Sequence, residues 1–251
     1  MSGVNVGRTG ASPYAAPADE IESAAQGAAA GAGAPGAPEA GAPACRLSVA
    51  YQAGLPLAEL ERLPAHELAE LAHERPEIVA RLSLTKLTEI GNACPSALDV
   101  IFHSDAARTP AAVPAGYATG THVYVPGSGV DLPFLVQQGV NRWRGKEFKP
   151  GTGEMVDDVS LLPDSKALAY VGDINAAIKG AAGGQVTAPV NADGRASLIT
   201  DYTAHGQAFG VKLRWIDEFR ELPGGTLLGV SYWMDGADPK KWSYVLLDMK
   251  K

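Results

Sequence analysis

The sequence predicts a mainly β protein of the α+β class, in which a disordered tail and short helices precede an antiparallel up-and-down β-barrel. Three observations favour this fold class. The composition changes sharply near residue 44, the apolar residues recur with a helical period up to about residue 102, and the period shortens towards two after Gly116. We therefore predict a tail over residues 1–44, short helices and a connector over 45–115, and a barrel domain over 116–251.

The tail is predicted from its composition, which is roughly two-thirds Ala, Gly and Pro. Such a segment cannot bury enough side chain to offset the entropy cost of ordering its backbone, so we expect it to be disordered. Near the start of the chain, Arg8 is followed by Thr9 and Gly10 rather than by an apolar run, unlike a secretory signal peptide. We therefore expect a cytoplasmic protein.

The helices are predicted from apolar residues between Leu55 and Phe102, which recur at spacings of three, four and seven. Prolines suit the first position of a helix, and they divide this stretch into several short helices rather than one long helix. The prolines expected at or near helix starts are Pro64, Pro76 and Pro95.

The barrel is predicted from many short segments with alternating polarity, separated by turns rich in Gly, Pro, Asn and Asp. Hairpin-linked strands without intervening helices indicate an antiparallel meander, and eight or nine of them favour a closed barrel over a two-sheet sandwich, which remains the alternative. Two interruptions, Leu132–Trp143 and Ala208–Leu213, are expected to be helical, with Gly145 as the C-cap of the first. The predicted strands are about Tyr117–Val125, Glu147–Lys149, Glu154–Leu162, Ala167–Ile174, Gln185–Val190, Ala196–Thr203, Trp215–Leu222, Thr226–Met234 and Trp242–Met249.

Composition and motifs exclude several functional classes. The 251-residue chain has 21 Lys and Arg against 28 Asp and Glu and no basic block, so we do not expect nucleic-acid binding. It has no run of about 18 apolar residues, so we expect no membrane span. Cys45 and Cys94 are too isolated for a disulfide framework or a thiolate zinc site, and His66 and His73 are expected to be solvated. No phosphate-binding loop or nucleophile elbow is present, and we expect no metal and no cofactor.

The catalytic candidates are polar residues within strands that are otherwise apolar. If Pro223–Gly225 is a three-residue hairpin loop, Asp217 pairs with Ser231 across the hairpin. The side-chain period of two then places Glu218 and Arg220 on one face and Asp217 on the other. We predict that Glu218 and Arg220 face the lumen; the alternative is an exterior pair in water. The candidates are Asp201, Tyr202, Asp217, Glu218, Arg220 and His122.

Aromatic residues along the predicted strands either fill the core or line a pocket for a small molecule. Lys146 follows the predicted helix end and is placed at the surface or at the mouth of such a pocket. The ligand-binding candidates are Trp143, Lys146, Tyr124, Tyr170, Tyr232 and Trp233.

Three segments carry a resemblance to a known family: WRGKEF at Trp143–Phe148, ITDYTAH at Ile199–His205 and WIDEFRELPGGTLLGVSYW at Trp215–Trp233. They resemble the W-x-GK-x-F segment, the LDYS-like strand and the DEIREV-x-PGLYLG-x-x-YW hairpin of an uncharacterised bacterial family of small domains. The resemblance covers about residues 116–249 and implies a lipocalin-like or fatty-acid-binding-type barrel, but no catalytic set. The chain departs from the pattern at Phe219 and in a longer excursion over Lys179–Asp193.

Two functions from different classes follow. The first is a binding barrel for a small hydrophobic or amphipathic molecule, supported by the meander, the aromatic residues and the lack of a complete catalytic motif. The second is a cofactor-independent isomerase or cyclase, in which Asp201, Asp217 or Glu218 acts as the base. There, Tyr202, His122 or Arg220 stabilises the oxyanion. Polar residues that converge in a lumen large enough for a ligand favour the enzyme, a lumen lined only by apolar groups favours the carrier, and a filled lumen excludes both. The remaining alternative is a structural or protein-interaction role.

Overall fold

The computed structural model describes residues 52, 54–130, 142–149, 154–159, 166–175, 193–202, 207–208, 211–212, 214–235 and 238–249. All of these belong to one compact unit, Leu47–Lys251. The predicted tail and the predicted strand Gln185–Val190 lie outside the described residues. So does the predicted helix Leu132–Trp143, except for its last two residues, which form a turn and the start of a strand.

The main sheet is antiparallel and curled. Successive strands along the chain pair with each other from β1 to β5, then β5 pairs with β8, β8 with β9 and β9 with β10. Since β10 also pairs with β1, the order of pairing is closed, and we refer to these eight strands as the barrel. The strands are β1 Gly116–Tyr124, β2 Trp143–Lys149, β3 Glu154–Val159, β4 Lys166–Asn175, β5 Ser197–Asp201, β6 Gln207–Ala208, β7 Val211–Lys212, β8 Trp215–Glu221, β9 Thr226–Asp235 and β10 Asp238–Asp248.

Two local predictions are wrong. The segment Ala208–Leu213 is not a helical turn, because β6 and β7 form a separate two-stranded hairpin there. Gly145 is not a helix C-cap. It lies inside β2 at a register shift, and its φ of 159° is extended backbone, as expected where a β-bulge bends a strand.

The helices are short and begin where proline or serine allows. Pro64 is the N-cap of α2, Pro76 and Pro95 start α3 and α5, and the Ser83 hydroxyl accepts a hydrogen bond from the Lys86 amide at the start of α4. His66 and His73 on α2 are exposed, as predicted. None of the described helices is long and apolar enough to span a membrane. The helices are α1 Leu57–Leu60, α2 Ala65–Glu74, α3 Pro76–Val79, α4 Leu84–Ala93 and α5 Pro95–His103.

Alternate residues of the strands enter two different cores. One core lies inside the barrel and is formed by residues such as Phe148, Phe219 and Leu247 from opposite sides of the sheet. The other lies between the helices and the outer faces of β1, β5, β8, β9 and β10, where Phe102 and Leu228 are buried. The helices therefore cover one outer side of the barrel, and the strands beneath them are buried on both faces.

The β8–β9 hairpin has the register predicted from the sequence. Leu222 donates a backbone hydrogen bond to Thr226 across the loop at 2.8 Å, and Asp217 is opposite Ser231. Gly225 has φ +79°, a conformation that glycine adopts without strain. This register fixes which residues of β8 and β9 face the lumen.

Candidate functional site

A cluster of buried polar side chains lies inside the barrel, centred on Lys146. The Lys146 ammonium group is 2.9 Å from an oxygen of Asp157 and 3.1 Å from an oxygen of Asp217, and all three side chains are at most 5% exposed. It also donates a hydrogen bond to the hydroxyl of Tyr202. Burial alone would lower the pKa of Lys146, but the two carboxylates raise it above its usual value. Lys146 is therefore held as a cation, with each of its three N–H donors aimed at an oxygen.

Asp217 is the most heavily bonded member of this cluster. Its Oδ2 accepts hydrogen bonds from Tyr202 at 3.0 Å and from Thr200 at 3.3 Å, and its Oδ1 accepts one from Ser231. Thr200 in β5 and Ser231 in β9 are placed opposite Asp217 by the strand register, and Tyr202 directly follows β5. The carboxylate is thus fixed in one orientation by its neighbouring strands.

Asp157 connects the cluster to an aromatic residue. Its Oδ1 accepts hydrogen bonds from Lys146 and from the indole N–H of Trp143, both at 2.9 Å. The Lys146 ammonium lies 5.4 Å from the Trp143 ring centroid and 4.8 Å from that of Tyr202, within the range of cation–π attraction. We call Lys146, Asp157, Asp217 and Tyr202, with Thr200 and Ser231, the inner network.

Aromatic rings gather at one end of the barrel, where β1, β3, β5 and β9 finish and β2, β8 and β10 start. Trp215 is the central ring: its centroid lies 4.7 Å from Tyr202 and 6.2 Å from both Trp233 and Trp242. All four tryptophans of the chain lie at this end. We call this set the aromatic end; its members are His122, Tyr124, Trp143, Tyr202, Trp215, Trp233 and Trp242.

Two features of the aromatic end bear on binding. The indole N–H of Trp242 is buried and has no hydrogen-bond partner among the described residues. His122 lies between the rings of Trp143 and Trp242, and burial lowers its pKa to about 4, so it is neutral near pH 7. The aromatic end therefore contains a donor in need of an acceptor and an uncharged imidazole.

Glycines let two of the inner rings lie against the wall of the barrel. A Cβ atom on Gly229 would collide with the Phe219 ring, and one on Gly120 would collide with the Trp143 ring. Each ring thus takes the space that a side chain on the neighbouring strand would fill.

Glu218 and Arg220 do not face the lumen, contrary to our prediction, and they do not face water either. Both are 1% exposed on the outer face of β8, beneath the helices. The Arg220 guanidinium makes two hydrogen bonds with Asp193, at 2.6 and 2.7 Å, and donates to the backbone carbonyl of Phe102 in α5 at 2.9 Å. Its Nη2 is 3.3 Å from Glu218. These contacts attach α5 to the barrel.

Asp193 bonds most of the other members of this outer cluster, and no sequence pattern marked it as a functional residue. Besides Arg220, it accepts hydrogen bonds from Arg195 and is 3.2 Å from His103. Arg195 in turn donates to three backbone carbonyls at the end of α5 and just after it. Burial would raise the pKa of Asp193, but the hydrogen bonds from Arg220 and Arg195 hold it well below its usual range. We call Asp193, Arg195, Glu218 and Arg220 the outer cluster.

Of the other sequence candidates, Trp143, Lys146 and Trp233 lie in the lumen, and the half-exposed Tyr124 lies at the aromatic end. Tyr232 is not a lumen residue, because it lies on the helix-covered face of β9. Asp201 follows Thr200 on β5 and so points away from the inner network. The strand position of Tyr170 is opposite Met155, and its side chain lies outside the described part of the chain.

Outside the lumen, two grooves are formed by described residues, one beside Tyr117 and Asp158 and the other beside Arg108 and Glu221. The first is lined by Tyr117, Glu147, Val156, Asp157 and Asp158, and the second by Arg108, Glu221, Leu222 and Pro223. Within the described part of the chain, no group of three or more His, Cys, Asp or Glu residues is placed to hold a metal ion.

Comparison of the chain with protein-family models, with curated proteins and with solved structures finds no match in any of the three. The function is therefore inferred from the geometry of the barrel.

Proposed function

We propose that this protein binds a small amphipathic molecule in the lumen of a lipocalin-like barrel, with the molecule entering at the aromatic end. The observation that carries the proposal is the adjacency of rings and polar groups: Trp215 contacts Tyr202, and Tyr202 belongs to the inner network. An apolar site with a few fixed polar groups is the usual composition of a small-molecule site. The unpaired N–H of Trp242 would be satisfied by an acceptor oxygen of the ligand.

The family resemblance supports the same proposal. The segments that carry it include Trp143, Lys146, Tyr202, Asp217 and Trp233, which all lie at or beside the inner network. We propose that the chain is related to that uncharacterised family of lipocalin-like domains. A cytoplasmic location and the absence of a nucleic-acid partner remain predictions from the sequence.

Tryptophan emission tests this proposal directly, because all four tryptophans lie at the aromatic end. Titration of the full-length protein with 1-decanol, a neutral chain with one oxygen, should give a saturable change in emission. Trp233→Leu should weaken binding, while Tyr117→Leu should not, because Tyr117 is 41% exposed on the outer face of β1. A lumen site would be excluded if neither 1-decanol nor its charged analogues, decyltrimethylammonium and decanoate, gave a saturable change in emission.

A second function is favoured by one specific arrangement. The Tyr202 hydroxyl accepts a hydrogen bond from Lys146 and donates its one proton to Asp217. If that proton turned from Asp217 to a developing oxyanion of a substrate, Asp217 could accept a proton from carbon. Such a pair would support an isomerase acting on an enolisable ketone. Incubation with cyclic ketones in D2O, followed by NMR, would show deuterium at the α-carbon, and Asp217→Asn would abolish that exchange. Equal exchange in the variant would contradict this second function.

A further inference from the structure

The inner network contains one more anion than cations. Asp157 and Asp217 are two carboxylates, and Lys146 is the ammonium that pairs with both. His122, which lies near Asp217 and Lys146, adds no charge near pH 7, because burial lowers its pKa to about 4. Among the described groups, the inner network thus carries a net charge of −1 in a buried setting.

The ammonium of Lys146 has no unused N–H donor for an anionic ligand. The three N–H donors of Lys146 are used by Asp157, Asp217 and Tyr202. An incoming carboxylate would have to displace one of these oxygens and would be repelled by the excess negative charge. This distinguishes the lumen from a site that uses a free cation to bind fatty-acid anions.

The rings of the aromatic end attract a cation independently of the carboxylates. Ring faces carry a negative quadrupole, and an ammonium ion within about 6 Å of several of them is attracted, most strongly by tryptophan. Trp215, Trp233 and Trp242 lie with neighbouring centroids 6.2 Å apart, and Tyr124 is 6.1 Å from Trp242. The rings near the ammonium of Lys146 are different ones, namely Phe219, Trp143 and Tyr202.

We propose that the head group of the ligand is a protonated amine or a quaternary ammonium ion, held among the tryptophans of the aromatic end beside the surplus carboxylate of the inner network. This inference rests on the proposed binding function and specifies the class of ligand. An acceptor oxygen near the head group would pair with the N–H of Trp242.

Three ligands with the same ten-carbon chain test the charge preference: decyltrimethylammonium, 1-decanol and decanoate. Each is titrated below its micellar concentration, and binding to the full-length protein is followed by tryptophan emission and by calorimetry. We expect the cation to bind about tenfold more tightly than the alcohol, and decanoate to bind most weakly. Equal or tighter binding of the alcohol or of decanoate would overturn the charge proposal but leave the binding function intact. Failure of all three to bind would overturn the binding function itself.

A matched pair of variants locates the preference. In Asp157→Asn, the one remaining carboxylate is balanced by the Lys146 ammonium. The affinity of decyltrimethylammonium should therefore fall close to that of 1-decanol, while the affinity of 1-decanol should not change. Asp158→Asn is the control, because Asp158 is the next residue of β3, is 33% exposed and bonds Tyr117 on the outer face. If Asp157→Asn does not fold, the salt dependence of ligand binding to the wild-type protein tests the charge preference instead. The advantage of the cation should shrink as ionic strength rises, and a salt-independent advantage would contradict the electrostatic origin.

Discussion

Replacement of Lys146 by methionine is the most informative perturbation of the inner network, because it removes the ammonium group and keeps an unbranched side chain only one atom shorter. The two carboxylate oxygens that Lys146 joins are 2.9 and 3.1 Å from its ammonium, so they lie within about 6 Å of each other. At that separation and an effective dielectric constant of about 20, two negative charges repel by about 3 kcal/mol. Removing one partner of a buried ion pair costs about 3–5 kcal/mol in general, which agrees with this figure.

Urea unfolding followed by tryptophan emission at pH 7.5 measures this cost. We expect Lys146→Met to reduce the free energy of unfolding by about 3–5 kcal/mol. Lys240→Met on the exposed side of β10 is the control and should cost less than about 1 kcal/mol.

The wild-type protein should show the complementary effect at high pH. The pKa of Lys146 is raised in the folded state, so its contribution to stability is complete below the pKa of the unfolded chain. That contribution is lost as the pH rises through the higher folded-state pKa. A cost for Lys146→Met under about 1 kcal/mol at pH 7.5, with no dependence on pH, would show that the lumen is solvated and would refute the reasoning.

Three further changes test the rest of the structure. Arg220→Leu should lower the free energy of unfolding by about 3–5 kcal/mol, because it removes the guanidinium that is paired with the buried Glu218 and with Asp193. Adding Glu218→Gln should recover part of that loss in urea unfolding. Asp193→Asn should flatten the acid side of the stability profile. Because the pKa of Asp193 is held well below its usual range, its contribution is complete above the pKa of the unfolded chain and is lost as the pH falls through the folded-state pKa. The difference in thermal midpoint between wild type and variant should therefore be constant above about pH 4 and should begin to narrow only below it. Gly229→Ala should cost about 1–3 kcal/mol, since the Phe219 ring must move, and an unchanged urea midpoint would show that the ring is not fixed there.

The parts of the fold that depend on local sequence were predicted well. The β8–β9 hairpin is an example, because the Pro-Gly-Gly loop sets its length and the period of two then fixes which residues share a face. Pro76 and Pro95 likewise mark helix starts, because proline lacks the N–H that a helix interior needs.

The environment of each face could not be predicted from the same pattern. Alternation separates Asp217 from Glu218 and Arg220, but it does not say whether a face meets the lumen, water or another element. The helices cover the face of Arg220, and the chain segments that meet there are far apart: Phe102 is 118 residues from Arg220. The same cover explains why Tyr232 is buried outside the lumen.

Asp157 was missed for a related reason. It lies in a strand with an adjacent Asp158 on the exposed side, and only the pairing of β2 with β3 brings it opposite Lys146. Its relation to Asp217 depends on the curvature of the whole sheet, which no local pattern encodes. The available signal was the alternation Met155, Asp157, which places an acidic residue on the same face as a buried methionine.

Strand β8 separates the two buried ion clusters, and they differ in charge balance, which bears on the proposed ligand site. The outer cluster sets Arg195 and Arg220 against Asp193 and Glu218, so its named charges balance, and its guanidinium groups also bond carbonyls of the chain itself. Such a cluster holds α5 against the barrel. The inner network has two carboxylates for one ammonium, and the neighbouring aromatic end contains a buried indole N–H that has no partner among the described residues. Because unbalanced charge and an unpaired donor are costly to bury, their presence together in the lumen favours a site that a ligand completes.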